Sequence, residues 1–268
     1  MNTATVCRLL SVSRSGYYKH RERNDKKTLK GAVEKLFYKH KGNYGKRPIQ
    51  AVLKRESGIK ASLREISRIL KEKGLVAKGG RKKRRNYPVP TKEEYTAENL
   101  VPNKYTARGF GEIYCADITE IQCKSGKVYV SGIIDVASRL VVAVNVRTSA
   151  KKEMILEGIT EAIGRYGKCN IFHSDRGTQY TARQTKELLE ENGIRQSMSR
   201  PGRPNDNQPI ESFWKTLKRE MDGLKELTFK EVKQEIFKYI ETYYNTERLH
   251  SALGYITPAE TRSNLSVN

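Results

Sequence analysis

The decapeptide Glu112-Ile-Tyr-Cys-Ala-Asp-Ile-Thr-Glu-Ile121 has the β-branched and aromatic density of a strand, yet it carries Asp117 in its interior. Aspartate is depleted from strand interiors, so something other than folding keeps it there. Two further strand-like runs follow at about 127–134 and 139–147, separated only by Lys124-Ser-Gly126 and Ala137-Ser138. Connections that short join antiparallel neighbours. A helix comes next, with Ile155, Ile159, Ala162, Ile163 and Tyr166 on one face. After it come the run Cys169-Asn-Ile-Phe-His-Ser174, a helix holding Leu188 and Leu189, and a strand near Ile194 to Met198. A three-strand meander continued by alternating helices and strands predicts an α/β unit: a mixed five-stranded sheet with helices on both sides.

Two more acidic residues stand at telling places. Asp175 ends the fourth strand run and precedes Arg176-Gly177, so it is expected where a strand opens into a loop, the end at which ligands collect in open α/β sheets. Glu211 follows the loop Ser199-Arg-Pro-Gly-Arg-Pro-Asn-Asp-Asn207 and falls in the first turn of a helix that Pro209 can start. Two strand carboxylates and one helix carboxylate can meet at one point. Each also has a plainer reading: Asp117 as an edge-strand solubility device, Asp175 as a turn former before Gly177, and Glu211 as part of a cap if Gln208 caps the helix. Asp135 lies at a strand end as well; it reads as structural and is the main rival for a metal position.

The residues around the three acids narrow the choice. His173-Ser-Asp-Arg-Gly-Thr-Gln-Tyr180 and Asn205-Asp-Asn-Gln-Pro-Ile-Glu-Ser-Phe-Trp214 place Glu211 36 positions after Asp175. This set resembles the integrase core of bacterial insertion-sequence transposases, the OrfB-type proteins of the copy-out, paste-in group, which are related to retroviral integrases. The resemblance continues in Asp117-Ile-Thr119, in Ile134-Asp135 with Ser138-Arg139, and in Tyr244-Asn245, Arg248, His250, Leu253-Gly-Tyr255 and Thr257-Pro258. It covers residues 110 to 260. One departure is Tyr114, where the family usually has tryptophan.

The resemblance implies a ribonuclease-H-like fold and a DNA transposase that binds the ends of an insertion sequence, cleaves a strand and transfers it. Asp117, Asp175 and Glu211 are then both the catalytic residues and the metal ligands, holding two Mg²⁺ ions for which Mn²⁺ can substitute. Asp117 is shared between the ions, Asp175 belongs to one and Glu211 to the other. The implied partners are double-stranded DNA, a second copy of the chain in a homodimer or larger assembly, and a small helix-turn-helix and leucine-zipper protein, fused or associated. The implied location is the bacterial cytoplasm, at the nucleoid. Two alternatives are a ribonuclease-H-like nuclease that cuts without joining and a non-catalytic DNA-binding repressor.

Lys215 and Lys218 stand four and seven positions after Glu211 and so share its helical stripe. Integrases have similar basic residues that hold a DNA end, although free surface lysines would look the same. Ile210, Phe213, Trp214, Leu217 and Met221 form the buried stripe of that helix, with Trp214 read as core. His173 is either an orienting neighbour of the metal aspartate or a satisfied core histidine. Tyr244, Asn245, Arg248 and His250 are motif-like with no assigned mechanism.

Charge separates the front of the chain from the back. The 268 residues carry a net +22, of which residues 1–110 hold +20 and residues 111–268 only +2. Such an excess points to a polyanion partner, and an amphipathic membrane anchor would need a larger apolar face. Residues 1–26 read as a basic arm or partial helix-turn-helix, with a short helix, a turn and a second helix. Residues 27–76 read as a helical DNA-binding domain: Leu29, Val33, Leu36 and Phe37 recur at helical spacing, Pro48 can start a second helix that Gly58 ends, and Ser62-Leu-Arg-Glu65 is a capping box opening a third that Gly74 closes. Arg64, Arg68 and Lys71 fall on the outer face of that third helix, where a helix-turn-helix meets DNA.

Residues 77–110 read as a basic linker, extended and mobile without a partner. Arg81, Lys82, Lys83, Arg84 and Arg85 there are suited to a phosphate backbone. Residues 111–268 are the core with a last helix, Phe229 to Asn245, and a tail after Thr257-Pro258 expected to be loosely ordered. Cys7, Cys115, Cys123 and Cys169 form no Cys-x-x-Cys pair, which argues against zinc and for reduced thiols. No run is apolar enough for a membrane span.

Overall fold

A computed structural model of the chain describes residues 2–79, 96–101, 107–200 and 204–265. Two compact units emerge, Met1–Gly79 and Gly80–Asn268. Arg81, Lys82, Lys83, Arg84 and Arg85 lie outside the described residues.

The first unit is helical: α1 (Thr3–Leu9), α2 (Arg14–Lys39), α3 (Lys46–Ser57) and α4 (Leu63–Glu72). Val33, Leu36 and Phe37 of α2 bury against Ile49, Val52 and Leu53 of α3 and Ile66, Ile69 and Leu70 of α4. Gly58 adopts the left-handed conformation that ends α3, at φ 63°. Ser62 and Glu65 form the expected capping box, each side chain accepting from the other's backbone N–H. The anticipated break at residue 26 is absent, because α2 runs unbroken from Arg14 to Lys39. Its middle is rich in lysine, arginine and glutamate, which are good helix formers but leave no apolar period to betray the helix.

The second unit is built on a sheet of strand order β3-β2-β1-β4-β5. Its strands are β1 (Ile113–Cys123), β2 (Gly126–Asp135), β3 (Val141–Arg147), β4 (Ile171–Ser174) and β5 (Arg195–Met198). The first three form the antiparallel meander, and β4 and β5 run parallel to β1. This mixed five-stranded sheet with helices on both faces is the ribonuclease-H-like arrangement. On one face α5 (Lys152–Tyr166), α6 (Thr178–Thr181) and α7 (Arg183–Glu191) cover Tyr114, Ala116, Val142 and Phe172. On the other, α8 (Gln208–Glu220) and α9 (Phe229–Lys238) cover Cys115, Ile121, Val130 and Val144. β1 is the central strand, so Asp117 is not an edge device.

Two sequence expectations change here. The tail is ordered through α10 (Pro258–Leu265), because Thr257 and Glu260 cap its start reciprocally and Pro258 presets the first turn. The stretch expected to be an extended linker is fixed in part. Glu98 accepts a hydrogen bond from Met198 N–H, Leu100 N–H donates to Ser197 Oγ, and Val101 is buried, so residues 96–101 lie along β5.

The motif residues near the end of the chain turn out to be fasteners. Asn245 is buried; its amide donates to Val141 O and accepts from Val141 N–H, closing the start of edge strand β3 as a neighbouring strand would. Arg248 donates to both oxygens of Glu220, a buried carboxylate at the end of α8 that also accepts from Arg219 and the Tyr239 hydroxyl. His250 packs edge-on to Tyr244. All four cysteines are buried thiols outside any disulfide. Among the described residues no helix is long and apolar enough to cross a membrane.

Candidate active site

Asp117 sits mid-strand in β1, opposite Gly132 of β2, on the face that α8 covers. A Cβ at position 132 would lie 2.7 Å from Trp214 Cη2, so glycine there is what lets the indole approach the strand this closely. Seated that way, Trp214 Nε1 donates to Asp117 Oδ2 at 3.0 Å. The tryptophan is core, as its stripe suggested, and it also orients the first carboxylate. Asp175 follows β4 directly, and its Oδ1 accepts from Gly177 N–H at 3.0 Å. Asp117 and Asp175 line one cavity of about 150 Å³ with Ile118, Gln179 and Tyr180.

Glu211 is in the first turn of α8 with Pro209 beside it, as expected; the cap residue is Asn207, not Gln208. Asn207 spends its side-chain amide on the strand instead, donating to Ala116 O at 2.9 Å and so pinning the start of α8 beside Asp117. Glu211 does not line the cavity. Its carboxylate accepts from Lys215 at 3.3 Å. Lys218, one helical turn further on, donates to Thr119 Oγ1 on β1. Lys215 thus lies against an acid and Lys218 against the sheet, while Arg64, Arg68 and Lys71 are all exposed on α4, with Arg68 3.7 Å from Glu72.

Asp117 feels both other acids. Burial pushes the Asp117 carboxyl up to about 7, and the negative charge of Asp175 and then of Glu211 adds to the rise against the opposing hydrogen bonds from Ile118 N–H and Trp214. Burial raises Asp175 as well, opposed by Gly177 N–H. Such crowding of carboxylates is what a bound cation relieves. Among the described residues no three metal-ligating side chains converge on a point. Magnesium, however, ordinarily takes one or two carboxylates and completes its shell with substrate phosphates, and this donor set of hard oxygens fits it.

The rival and the neighbour resolve cleanly. Asp135 has spent its oxygens on Gly111 N–H, Ser138 N–H and Ser138 Oγ, so it is structural. His173 is wholly buried, with Nδ1 2.9 Å from Ser197 Oγ and Nε2 3.0 Å from Ser199 Oγ, and burial lowers its pKa to about 4. It is a satisfied core histidine tying β4 to β5. Missed by sequence reasoning were the Trp214 bond to Asp117, the Asn207 pin and the Gly132 seat; only the presence of a lone tryptophan near Glu211 hinted at them.

Two models described as integrase core domain match residues 108–204 and 192–258, and one described as an HTH-like domain matches residues 23–84. The transposase for insertion sequence element IS904 of Lactococcus lactis subsp. lactis is 36% identical over 240 residues, spanning 88% of this chain and 94% of that protein. The putative transposase InsK for insertion sequence element IS150 of Escherichia coli K12 is 30% identical over 265 residues, 96% of this chain and 92% of that protein. Among solved structures, the HTLV-2 integrase catalytic core domain in complex with magnesium aligns at a TM-score of 0.44 and 17% identity, covering 62% of this chain and 99% of that one.

Proposed function

Because the chain belongs to the OrfB-type insertion-sequence transposases of the IS3 family, and so is a DNA transposase, we propose that Asp117, Asp175 and Glu211 carry a metal-dependent DNA cleavage and strand-transfer reaction at the cavity lined by β1 and the segment that follows β4. The observation that carries this reading is the pair Asp117 and Asp175 lining one cavity, with the charges of Asp175 and then of Glu211 raising the Asp117 carboxyl. Two divalent ions, magnesium with manganese able to substitute, would supply Lewis-acid stabilisation of an in-line displacement at phosphorus.

The residues of the chain have separable tasks. Asp117 on β1 and Asp175 just after β4 would hold the cations, with Glu211 of α8 as the third ligand. Trp214 fixes the rotamer of Asp117, and Asn207 fixes the start of the helix that bears Glu211. Lys215 balances Glu211 until cation and DNA arrive, when its ammonium is free to meet a phosphate. Arg64, Arg68 and Lys71, aligned on α4, grip the ends of the element, with Arg81, Lys82, Lys83, Arg84 and Arg85 as further phosphate partners. Double-stranded DNA is the partner, and a homodimer or larger assembly brings two ends together.

The test uses the full chain, Mg²⁺ and a labelled duplex carrying the end of the element. Nicked and joined products are expected; nicking without joining would favour a nuclease. Asp117→Asn, Asp175→Asn and Glu211→Gln are each expected to lose both products and keep DNA binding. Chemistry that survives all three sinks the assignment.

A further inference from the structure

Tyr180 is 1% exposed and its hydroxyl has no hydrogen-bond partner among the described residues. A buried hydroxyl without a partner forfeits its hydrogen bonds to water for nothing, which folded proteins avoid unless a ligand completes the bond. An orphaned hydroxyl alone is no site, for Tyr114 has one too. What distinguishes Tyr180 is its place. It lines the same cavity as Asp117 and Asp175, and both aspartates act on it electrostatically. Its own fixings leave the oxygen uncommitted. The backbone carbonyl accepts from Gln196 Nε2, the ring packs on Phe172, and Gly177 O accepts from the backbone N–H.

We propose that the Tyr180 hydroxyl is a hydrogen-bond donor to a non-bridging oxygen of the DNA phosphodiester that enters this cavity. The inference rests on the proposed function and names a further residue of the same site. A neutral donor suits the position. The cavity already holds two carboxylates, and a phenol rigidly held by its ring adds a donor without adding a charge that would compete with cations for Asp117 and Asp175. Its usefulness is greatest as negative charge builds on the phosphate oxygens, when a preorganised donor shielded from water acts most strongly.

Tyr180→Phe removes one oxygen and nothing else. The full chain is assayed for thermal unfolding without DNA, for affinity toward element-end duplex, and for the single-turnover rate of nicking at saturating duplex with Mg²⁺. The proposal expects a melting temperature equal to or above wild type, an unchanged Kd and a rate about 10²-fold lower, the size of effect seen when one such donor is removed. A rate within twofold of wild type overturns it, and so does a rate loss accompanied by a lower melting temperature, which would make the hydroxyl a packing element. Wild-type protein that binds ends but never nicks them overturns the proposed function and this inference together, whereas an active wild type with an equally active Tyr180→Phe variant overturns the inference alone.

Discussion

Gly132→Ala adds a single methyl group where the site has least room for it. The new carbon would stand 2.7 Å from Trp214 Cη2, 3.0 Å from Cζ2 and 3.4 Å from Ile210 Cδ1. Ordinary carbon separations begin near about 3.5 Å, so the rigid indole must retreat by roughly 0.5–1 Å. It has nowhere to go: Trp214 is 5% exposed and its ring lies 4.8 Å from that of Phe213. The strand cannot yield either, since Gly132 pairs with Asp117 on one side and Val144 on the other. Overpacking of this kind costs about 1–3 kcal/mol, against which alanine in a strand interior regains roughly 0.5–1 kcal/mol. A net loss of about 1–2 kcal/mol is expected, worth roughly 2–8 °C in melting temperature for a unit of this size.

The same retreat pulls Nε1 from Asp117, and a displacement of about 1 Å near the reacting groups can lower the rate about 10²-fold. Trp214 is the only tryptophan in the chain, so its fluorescence reports the displacement and the unfolding transition without a label. Denaturant unfolding followed at that signal, beside a strand-transfer assay, completes the test. A Gly132→Ala protein with wild-type stability and emission would refute the claim that glycine at 132 seats the indole.

Two other perturbations probe separate links. Burial opposes ionisation of Glu220, but Arg248, Arg219 and the Tyr239 hydroxyl outweigh it and hold the carboxyl below the usual carboxylate range. A depressed folded-state pKa gives stability that is complete above the unfolded value of about 4.3 and is lost as pH falls through the folded one. Glu220→Gln is therefore expected to lose about 3 kcal/mol at pH 7, because Arg248 is left buried and unneutralised, and progressively less as pH falls through the folded-state value below about 4.3; urea unfolding that shows the same gap at every pH down to full protonation contradicts this. On α4, joint replacement of Arg64, Arg68 and Lys71 by alanine should weaken end binding and flatten its salt dependence by about one unit of slope for each phosphate that is no longer neutralised. An unchanged slope would place the DNA elsewhere.

Much of this architecture was legible because the core of the catalytic unit is written in local patterns. The strands from Ile113 to Arg147 alternate or run apolar between short turns, and the Ser62–Glu65 capping box announces α4 within four residues. Asp117 stood out because an aspartate inside a strand contradicts folding preference, and such contradictions mark sites, whereas Asp175 and Glu211 sit where turns and helix starts accept an acid and were singled out by the residues around them. What stayed hidden depends on distance along the chain. The Trp214 bond to Asp117 spans 97 positions, and the Asn207 pin on Ala116 spans 91. Arg248 was motif-like without a mechanism, because its buried partner Glu220 lies 28 positions away. The docking of residues 96–101 on β5 joins partners as far apart as Leu100 and Ser197, 97 positions along the chain, which no local pattern encodes. Helix α10 is a different miss, for its Thr257–Glu260 cap and Pro258 were visible and its eight residues were read as a frayed end.

Cation uptake, read through Trp214 fluorescence during titration of the full chain with Mg²⁺ or Mn²⁺ in the presence of element-end duplex, tests the central claim most directly. The account predicts a saturable change in the wild-type protein that Asp117→Asn and Asp175→Asn abolish and Glu211→Gln weakens, with duplex binding through α4 intact in all three. Wild-type cation affinity retained in the two aspartate variants would contradict it.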